Sequence, residues 1–309
     1  MSHTPPPSVD RVDLVDRVDH VDHEGRAQLL NILRDPNTHK IVVITGAGIS
    51  VPSGIPPFRR SEDAIWEKEV TQRGTYEHFR SHPADSWRWY HTRFSKARDA
   101  KPNPAHYALT DLAAWAQREG RQLTLITQNV DGLHIAAGSP TIEIHGSARL
   151  ARCASRSHTC PNAEPRGTLP MSDLDLRALE AGGGDESVPR CAACGDLIRP
   201  HLLWFDERYD AHEGYRFEEA LRSLEGADLF LFVGTSFAVG ITANALYHAE
   251  DLGAAVWAVD PSPMRDDPEL RQVEWLAEPS EVALPAIVGA LGSQPSPPAQ
   301  TTARGAAGA

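Results

Sequence analysis

A short run of amide and carboxylate side chains, Gln128-Asn129-Val130-Asp131, directly follows the apolar stretch 123–127 (LTLIT). Such groups are costly to bury unless they are partnered, so the run indicates either a ligand site or an Asx-type turn. The residue types alone leave both interpretations open.

A glycine-containing sequence follows a second apolar run, Lys40–Thr45, and reads Gly46-Ala47-Gly48-Ile49-Ser50. Glycines after a strand let backbone N–H groups approach a pyrophosphate closely. The acidic residue that reads the ribose in Rossmann dehydrogenases, ~20 positions further on, cannot be identified. The glycine pattern alone is weak evidence for dinucleotide binding, and the missing acidic residue argues against a simple dehydrogenase.

The sequence Ile142-Glu143-Ile144-His145-Gly146 supplies a candidate base. Strand alternation places Glu143 and His145 on the face opposite the isoleucines. A histidine beside a glycine at a strand end is able to act as a base near neutral pH. With 14 histidines in the chain, residue type alone does not select His145.

Four cysteines form two groups, Cys153 with Cys160 and Cys191 with Cys194. The Cys191-Ala192-Ala193-Cys194 turn is a typical half of a zinc site, whereas the Cys153–Cys160 spacing is wider than usual. One Cys₄ site is the simplest account, with His158 as an alternative ligand. Because four thiolates leave no open position, this zinc ion is expected to be structural.

Short apolar runs at Lys40–Thr45, 123–127, Leu229–Val233 and Ala255–Val259 have the pattern of strands buried on both faces of a parallel sheet. Helical patterns at 25–33, 106–118, Phe217–Leu224 and 242–252 alternate with them. The sequence thus predicts an α/β fold with a Rossmann-like, doubly wound parallel sheet. Three runs end in polar or glycine-rich turns, at the carboxyl edge where such sheets bind ligands.

Two stretches interrupt this alternation and predict a smaller inserted module. The segment at about 52–104 is aromatic and helix-like, and the segment at about 149–200 holds the cysteines. Residues 1–25, with a Val-Asp repeat of period three, and 291–309 are predicted to be disordered. The folded domain is expected to span 26–290.

Composition excludes several classes of protein. The net charge of −12 argues against a basic nucleic-acid surface, and no apolar run approaches the length of a membrane span. The N-terminus lacks the apolar core of a secretory signal, and four cysteines do not suggest a secreted disulfide scaffold. A cytoplasmic protein is therefore expected, with its oligomeric state open.

Taken in order, these motifs resemble the sirtuin family of NAD-dependent protein deacylases. The resemblance covers roughly 26–290 and rests on GAGISVPSGIPPFR (46–59), TQNVDGLH (127–134), IHG (144–146), RPHLLWFDE (199–207), GTS (234–236) and the cysteines. It implies that NAD is a co-substrate, that one structural Zn²⁺ is bound and that the partners are acylated-lysine proteins or peptides.

The resemblance also implies residue roles. His145 is the general base, and Asn129 and Asp131 complete the catalytic group. The expected NAD-binding residues are Gly46, Ala47, Gly48, Ile49, Phe58, Arg59, Gln128, Asn129, Asp131, Gly234, Thr235, Ser236 and Asp260. Leu203, Trp204 and Phe205 are expected to pair with the substrate peptide as an added strand.

In the mechanism that the resemblance implies, the acyl oxygen of the substrate lysine attacks C1′ of the nicotinamide ribose and nicotinamide leaves. His145 then activates a ribose hydroxyl, and the products are free lysine and O-acyl-ADP-ribose. Tyr90 and Arg93 resemble the Tyr-x-x-Arg pair of sirtuins that remove succinyl, malonyl and glutaryl groups. An arginine and a phenol suit a terminal carboxylate, and Gly74 leaves room where that class has alanine.

Three residues depart from the family pattern. Pro57 stands in place of the usual Asp, and Asp260 in place of the Asn near the adenine ribose; both bear on NAD affinity. Asp206 replaces a glycine beside the peptide segment, where its carboxylate is expected to favour basic substrates.

Two other functions stay open from sequence. One is transfer of ADP-ribose to protein or water on the same scaffold. The other is a zinc ribbon that binds nucleic acid, which the acidic residues of segment 167–189 argue against.

Overall fold

The computed structural model describes residues 22–56, 72–94, 97, 99–156, 160–163 and 167–292. In this part of the chain, no helix combines the length and the apolar character that crossing a membrane requires.

The core is a six-stranded parallel sheet, which confirms the predicted fold class. Its strand order is β3-β2-β1-β7-β8-β9. The strands are β1 (Lys40–Thr45), β2 (Gln122–Thr127), β3 (Thr141–Glu143), β7 (Leu229–Val233), β8 (Ala255–Val259) and β9 (Glu274–Leu276). The order runs outward in opposite directions from β1 and β7, which creates a topological switch point between them.

Helices cover both faces of the sheet, which explains why the residues of its central strands β7 and β8 are all apolar. Ile41 and Val43 of β1 pack into one face cluster, and Val42 and Ile44 pack into the other. The first face carries α1 (His23–Arg34), α4 (Pro104–Arg118) and α9 (Ser280–Gly292), and the second carries α7 (Phe217–Leu224) and α8 (Gly240–Leu252). Because successive side chains of a strand point to opposite faces, this one sheet contributes to two hydrophobic cores.

A smaller module holds a three-stranded antiparallel sheet of order β5-β4-β6. Its strands are β4 (Gly146–Cys153), β5 (Leu169–Pro170) and β6 (Ile198–Leu202). Helices α2 (Tyr76–Ser81), α3 (Pro83–Arg93) and α6 (Arg177–Glu180) accompany it, and α5 (Leu133–Ala136) belongs to the larger sheet's loops. Residues from both predicted insertions, Trp87 and Cys153 among them, share one apolar cluster.

The first and last described helices reach slightly beyond positions 26 and 290. Helix α1 begins at His23, three residues before position 26, and α9 ends at Gly292, two residues after position 290. Helix α1 is capped by Asp22, whose side chain accepts a hydrogen bond from the Gly25 N–H (2.8 Å). The cap explains why the helix starts this early.

Candidate active site

The loops that follow β1 and β7 are bonded to each other at the carboxyl edge of the sheet. The Gly46 N–H donates to the Val233 carbonyl (3.0 Å), and the Gly48 N–H donates to the Gly234 carbonyl (2.8 Å). A Cβ atom on Gly48 would lie 2.6 Å from Gly234 Cα, so no larger residue fits there. The predicted glycine residues are therefore required for the close approach of the two loops.

The polar run after β2 reaches the same edge. The Asn129 amide donates to the Gly46 carbonyl (3.0 Å) and to Ser50 Oγ (3.2 Å). Ser50 Oγ in turn donates to the Asp131 carboxylate (2.8 Å). Asn129 and Asp131 are thus brought together with the glycine loop through Ser50, a residue that the sequence interpretation did not single out.

The Asp131 carboxyl is almost fully buried, and burial raises its pKa above the ordinary value. Hydrogen bonds from the Leu133 N–H (2.9 Å) and Ser50 oppose that shift. Gln128, in the same loop after β2, donates from its side-chain amide to Thr235 Oγ1 (3.1 Å). The three loops after β1, β2 and β7 therefore share one hydrogen-bonded polar surface.

His145 follows β3 at this edge, and both of its ring nitrogens have partners. Nδ1 lies 2.8 Å from the Gln128 carbonyl, and Nε2 lies 3.1 Å from the Tyr209 hydroxyl. A carbonyl only accepts, so Nδ1 carries the hydrogen of the neutral ring and Nε2 holds the lone pair. Burial lowers the pKa of His145, which favours this neutral form. The ring is thus set up as a base at Nε2.

Asp260 follows β8, one strand further along the same edge. Its backbone N–H donates to the Leu276 carbonyl (3.2 Å), and its carboxylate accepts from the Ser262 N–H (2.8 Å). Ser236 is exposed and Thr235 is buried beyond β7. The described NAD-binding candidates therefore lie along one edge of the sheet, whereas Phe58, Arg59 and the departure at Pro57 lie outside the described residues, as does His158.

The four cysteines converge as predicted. All four sulfur atoms lie within 4.8 Å of one another, and the closest pairs are Cys153–Cys194 (3.5 Å) and Cys160–Cys191 (3.6 Å). Four thiolates at the usual Zn–S length around a tetrahedral ion stand ~3.8 Å apart, so the cluster fits one zinc ion. Burial acts to raise the pKa of Cys191, but hydrogen bonds from Asn162 and the Ala193 and Cys194 N–H groups lower it to about 6.

The segment Leu203 to Phe205 directly follows β6, and its backbone N–H groups already donate hydrogen bonds within the protein. The Leu203 N–H donates to the His145 carbonyl (2.9 Å), and the Phe205 N–H donates to the Gly74 carbonyl (3.0 Å). The Trp204 N–H donates to the Glu207 carboxylate (3.1 Å). A substrate peptide that paired with this segment as an added strand would therefore have to donate its own N–H groups to the carbonyl oxygens of the segment.

Tyr90 and Arg93 lie one helical turn apart on α3. The Tyr90 ring is 6% exposed and stacks on Trp204, with 5.9 Å between ring centroids, and on Phe94 (5.7 Å). Arg93 is half-buried, and burial lowers its pKa to about 10. Helix α3, which carries the predicted acyl-binding residues, therefore packs through the Tyr90 ring against Trp204 of the segment that is predicted to bind the peptide.

Asp206 has a structural role that its sequence position did not suggest. Its carboxylate accepts hydrogen bonds from the backbone N–H groups of Tyr76 (2.7 Å) and Glu77 (3.1 Å), the first two residues of α2. Thr75 Oγ1 accepts from the next one, His78 (3.1 Å). Asp206 thus completes the N-terminal cap of α2 from a distant part of the chain.

Substituting Asp206 by glycine is expected to lower stability by about 1 kcal/mol, since two helix N–H groups lose their acceptor. A decrease in Tm of about 2–4 °C in thermal unfolding would follow for a domain of this size. Asp206→Asn retains an acceptor and should keep most of the stability. Asp210→Gly, at an exposed neighbour, is the control, and equal losses at both positions would contradict the capping role.

A model of the Sir2 family matches residues 46–240. The NAD-dependent protein deacylase of Ralstonia nicotianae is 36% identical over 251 residues, which cover 81% of this chain and 91% of that protein. The mitochondrial NAD-dependent protein deacylase sirtuin-5 of Danio rerio is 39% identical over 208 residues, but these are 63% of this chain and only 65% of the relative.

Solved structures agree with the sequence relatives. A Sir2 variant with a deacetylated p53 peptide and 3′-O-acetyl ADP-ribose superposes with a TM-score of 0.67 at 27% identity, covering 85% of this chain and 97% of that one. The family match includes the glycine loop, the polar run, His145 and all four cysteines. The chain therefore belongs to the Sir2 family.

Proposed function

We propose that this protein is an NAD-dependent deacylase of protein lysines. The observation that carries the proposal is the environment of His145, a neutral imidazole whose Nδ1 is fixed by the Gln128 carbonyl so that Nε2 is the basic atom. This base lies on the edge of the sheet that also holds Asn129 and Asp131. The relatives named as deacylases support the same reaction.

In this proposal NAD is the co-substrate, and its phosphates lie against the backbone of the loop 46–49. The remaining contacts come from Gln128, Gly234, Thr235, Ser236 and Asp260, together with Phe58 and Arg59. Asn129 and Asp131 face the nicotinamide ribose, where a carboxylate and an amide favour the positive charge that develops as nicotinamide leaves. His145 then accepts the proton of a ribose hydroxyl at Nε2.

The zinc ion of the cysteine cluster is structural in this proposal, because the four thiolates fill a tetrahedral shell and leave no position for substrate. The substrates are acylated lysines in proteins or peptides. A cytoplasmic location stays a prediction, since the relatives include both a bacterial and a mitochondrial protein.

The function is tested by mass spectrometry of a reaction that contains NAD and either of two matched peptides, one with acetyl-lysine and one with succinyl-lysine. Appearance of O-acyl-ADP-ribose together with free lysine is the expected result. Free ADP-ribose or an ADP-ribosylated protein without deacylation would contradict the proposal and would instead establish a transferase or hydrolase.

For the acyl class we propose removal of acidic acyl groups, with Tyr90 and Arg93 as partners of a terminal carboxylate. Arg93→Met is expected to lower kcat/KM for the succinyl peptide by about 10- to 100-fold and to leave the acetyl peptide within about twofold, because a hydrogen bond to a charged group is worth about 1.5–3 kcal/mol. The measurement is kcat/KM for both peptides.

Arg88→Met is the matched control, since Arg88 lies on the same helix but is exposed and donates to the Gly183 carbonyl (2.7 Å). The control should leave the ratio of the two peptides unchanged. Equal losses on both peptides in Arg93→Met would refute the assignment of the acyl class.

A further inference from the structure

Tyr209 contacts the one atom of His145 that the proposed reaction needs. Its hydroxyl oxygen lies 3.1 Å from Nε2, and its ring lies against the imidazole, with 5.8 Å between centroids and an interplanar angle of 28°. Tyr209 opens a short 3₁₀ turn, Tyr209–Ala211, that comes shortly after the predicted peptide segment. None of the sequence motifs includes it.

The direction of this hydrogen bond follows from the partner on the other side of the ring. Because Nδ1 must donate to the Gln128 carbonyl, Nε2 of the neutral ring has only a lone pair to offer. The Tyr209 O–H is therefore the donor. Burial raises the pKa of Tyr209, so its hydroxyl keeps the proton that it donates.

The ring of Tyr209 is held by a contact that does not involve its hydroxyl. It stacks on Phe217, the first residue of α7, with 3.9 Å between centroids and an interplanar angle of 13°. The neighbours Arg208 and Asp210 are exposed and bond to each other (3.2 Å). Removing the hydroxyl would therefore leave the packing of the turn intact, while the lone pair of His145 would lose its donor.

We propose that Tyr209 acts through His145 as a positioning residue, whose hydroxyl occupies the reactive Nε2 and competes with the substrate ribose for it. The inference rests on the proposed function, in which a ribose hydroxyl donates to Nε2. One lone pair accepts one strong hydrogen bond, so the Tyr209 hydroxyl must leave before the ribose hydroxyl engages. The bond to Tyr209 thus weakens the binding of ligands that carry this ribose.

The test compares two ligands by titration calorimetry. ADP-ribose carries the distal ribose, and ADP lacks it. Tyr209→Phe is expected to bind ADP-ribose about two- to tenfold more tightly than the wild type, which corresponds to the net contribution of one neutral hydrogen bond. Its affinity for ADP should not change. Tyr247→Phe, at a tyrosine on α8 that is 71% exposed, is the control and should change neither affinity.

A second comparison separates competition from a general structural effect. His145→Ala removes Nε2, the atom for which the two hydroxyls compete. In that background Tyr209→Phe should no longer alter the affinity for ADP-ribose. An unchanged or weaker affinity for ADP-ribose in the single variant would overturn the proposal, as would an equal change for ADP and ADP-ribose. Failure of the wild type to bind either ligand would overturn the proposed function and this inference with it.

Discussion

Alanine in place of His145 is expected to slow the formation of O-acyl-ADP-ribose by about 10²- to 10⁴-fold, the usual contribution of a general base. The variant loses Nε2 of His145, the atom that takes the proton of the ribose hydroxyl in the proposed reaction. The rate is measured by mass spectrometry with saturating NAD and an acyl-lysine peptide, so that weaker binding does not enter the comparison.

The step before base catalysis provides an internal control. Departure of nicotinamide needs no proton acceptor, so exchange of labelled nicotinamide into NAD should persist in His145→Ala. His23→Ala, at an exposed histidine in the first turn of α1, should retain both activities. If exchange and product formation fell together, His145 would have a role in folding or binding instead of proton transfer.

The pH dependence of product formation by the wild type follows from the burial of His145. Burial lowers the pKa of His145 below its ordinary value of 6.5, so the ring is neutral at pH 7. Product formation should therefore persist as the pH falls to about 6.5 and decline only at lower pH, where Nε2 becomes protonated. A decline that begins above pH 7 would contradict a buried, neutral base.

Replacing Cys191 by serine is expected to abolish zinc binding and to unfold the smaller module. Apparent binding free energies of about 10–16 kcal/mol for structural zinc show how much of such a fold depends on the metal. The two cysteines of the 191–194 turn lie just before β6, and Cys153 ends β4, so the ion joins the ends of two paired strands. The measurements are metal content by mass spectrometry and thermal unfolding.

Ala192→Ser is the matched control, because it adds the same hydroxyl to an exposed neighbour in the same turn. This variant should keep one zinc ion per chain and the Tm of the wild type. Retention of the wild-type Tm and full activity after complete removal of zinc by a chelator would refute the structural role.

The sheet could be predicted where burial on both faces leaves a clear apolar run. The predicted limits of β1, β7 and β8 agree with the structure. Strand β9 contains only three residues, too few for a pattern to emerge, whereas the equally short β3 was indicated by the alternation in 142–146. Helix α9 was not predicted either, because it contains Pro285 and is apolar around most of its surface, so it lacks the periodicity of a surface helix.

The residues of the candidate site could be predicted only in part, for a different reason. His145 and the strand-end polar groups could be selected only through the resemblance of their short motifs to a known family, since residue type alone did not select them. Asp206 was interpreted through its charge, whereas its hydrogen bonds cap a helix that begins 130 residues earlier in the chain. The pair Tyr209 and His145 is separated by 64 residues, and no local pattern links them. Contacts of this kind depend on how the two modules pack.

The close approach of the four sulfur atoms also has a consequence for oxidation. Two pairs stand 3.5 and 3.6 Å apart, so each pair needs a movement of only about 1.5 Å to reach the ~2.05 Å length of a disulfide bond. A bound zinc ion engages the thiolates and withholds them from that reaction, whereas an oxidant that reaches the cluster releases the metal. Loss of a bound zinc ion and formation of disulfides would therefore be linked, and activity would be expected to follow the thiol redox state of the surroundings.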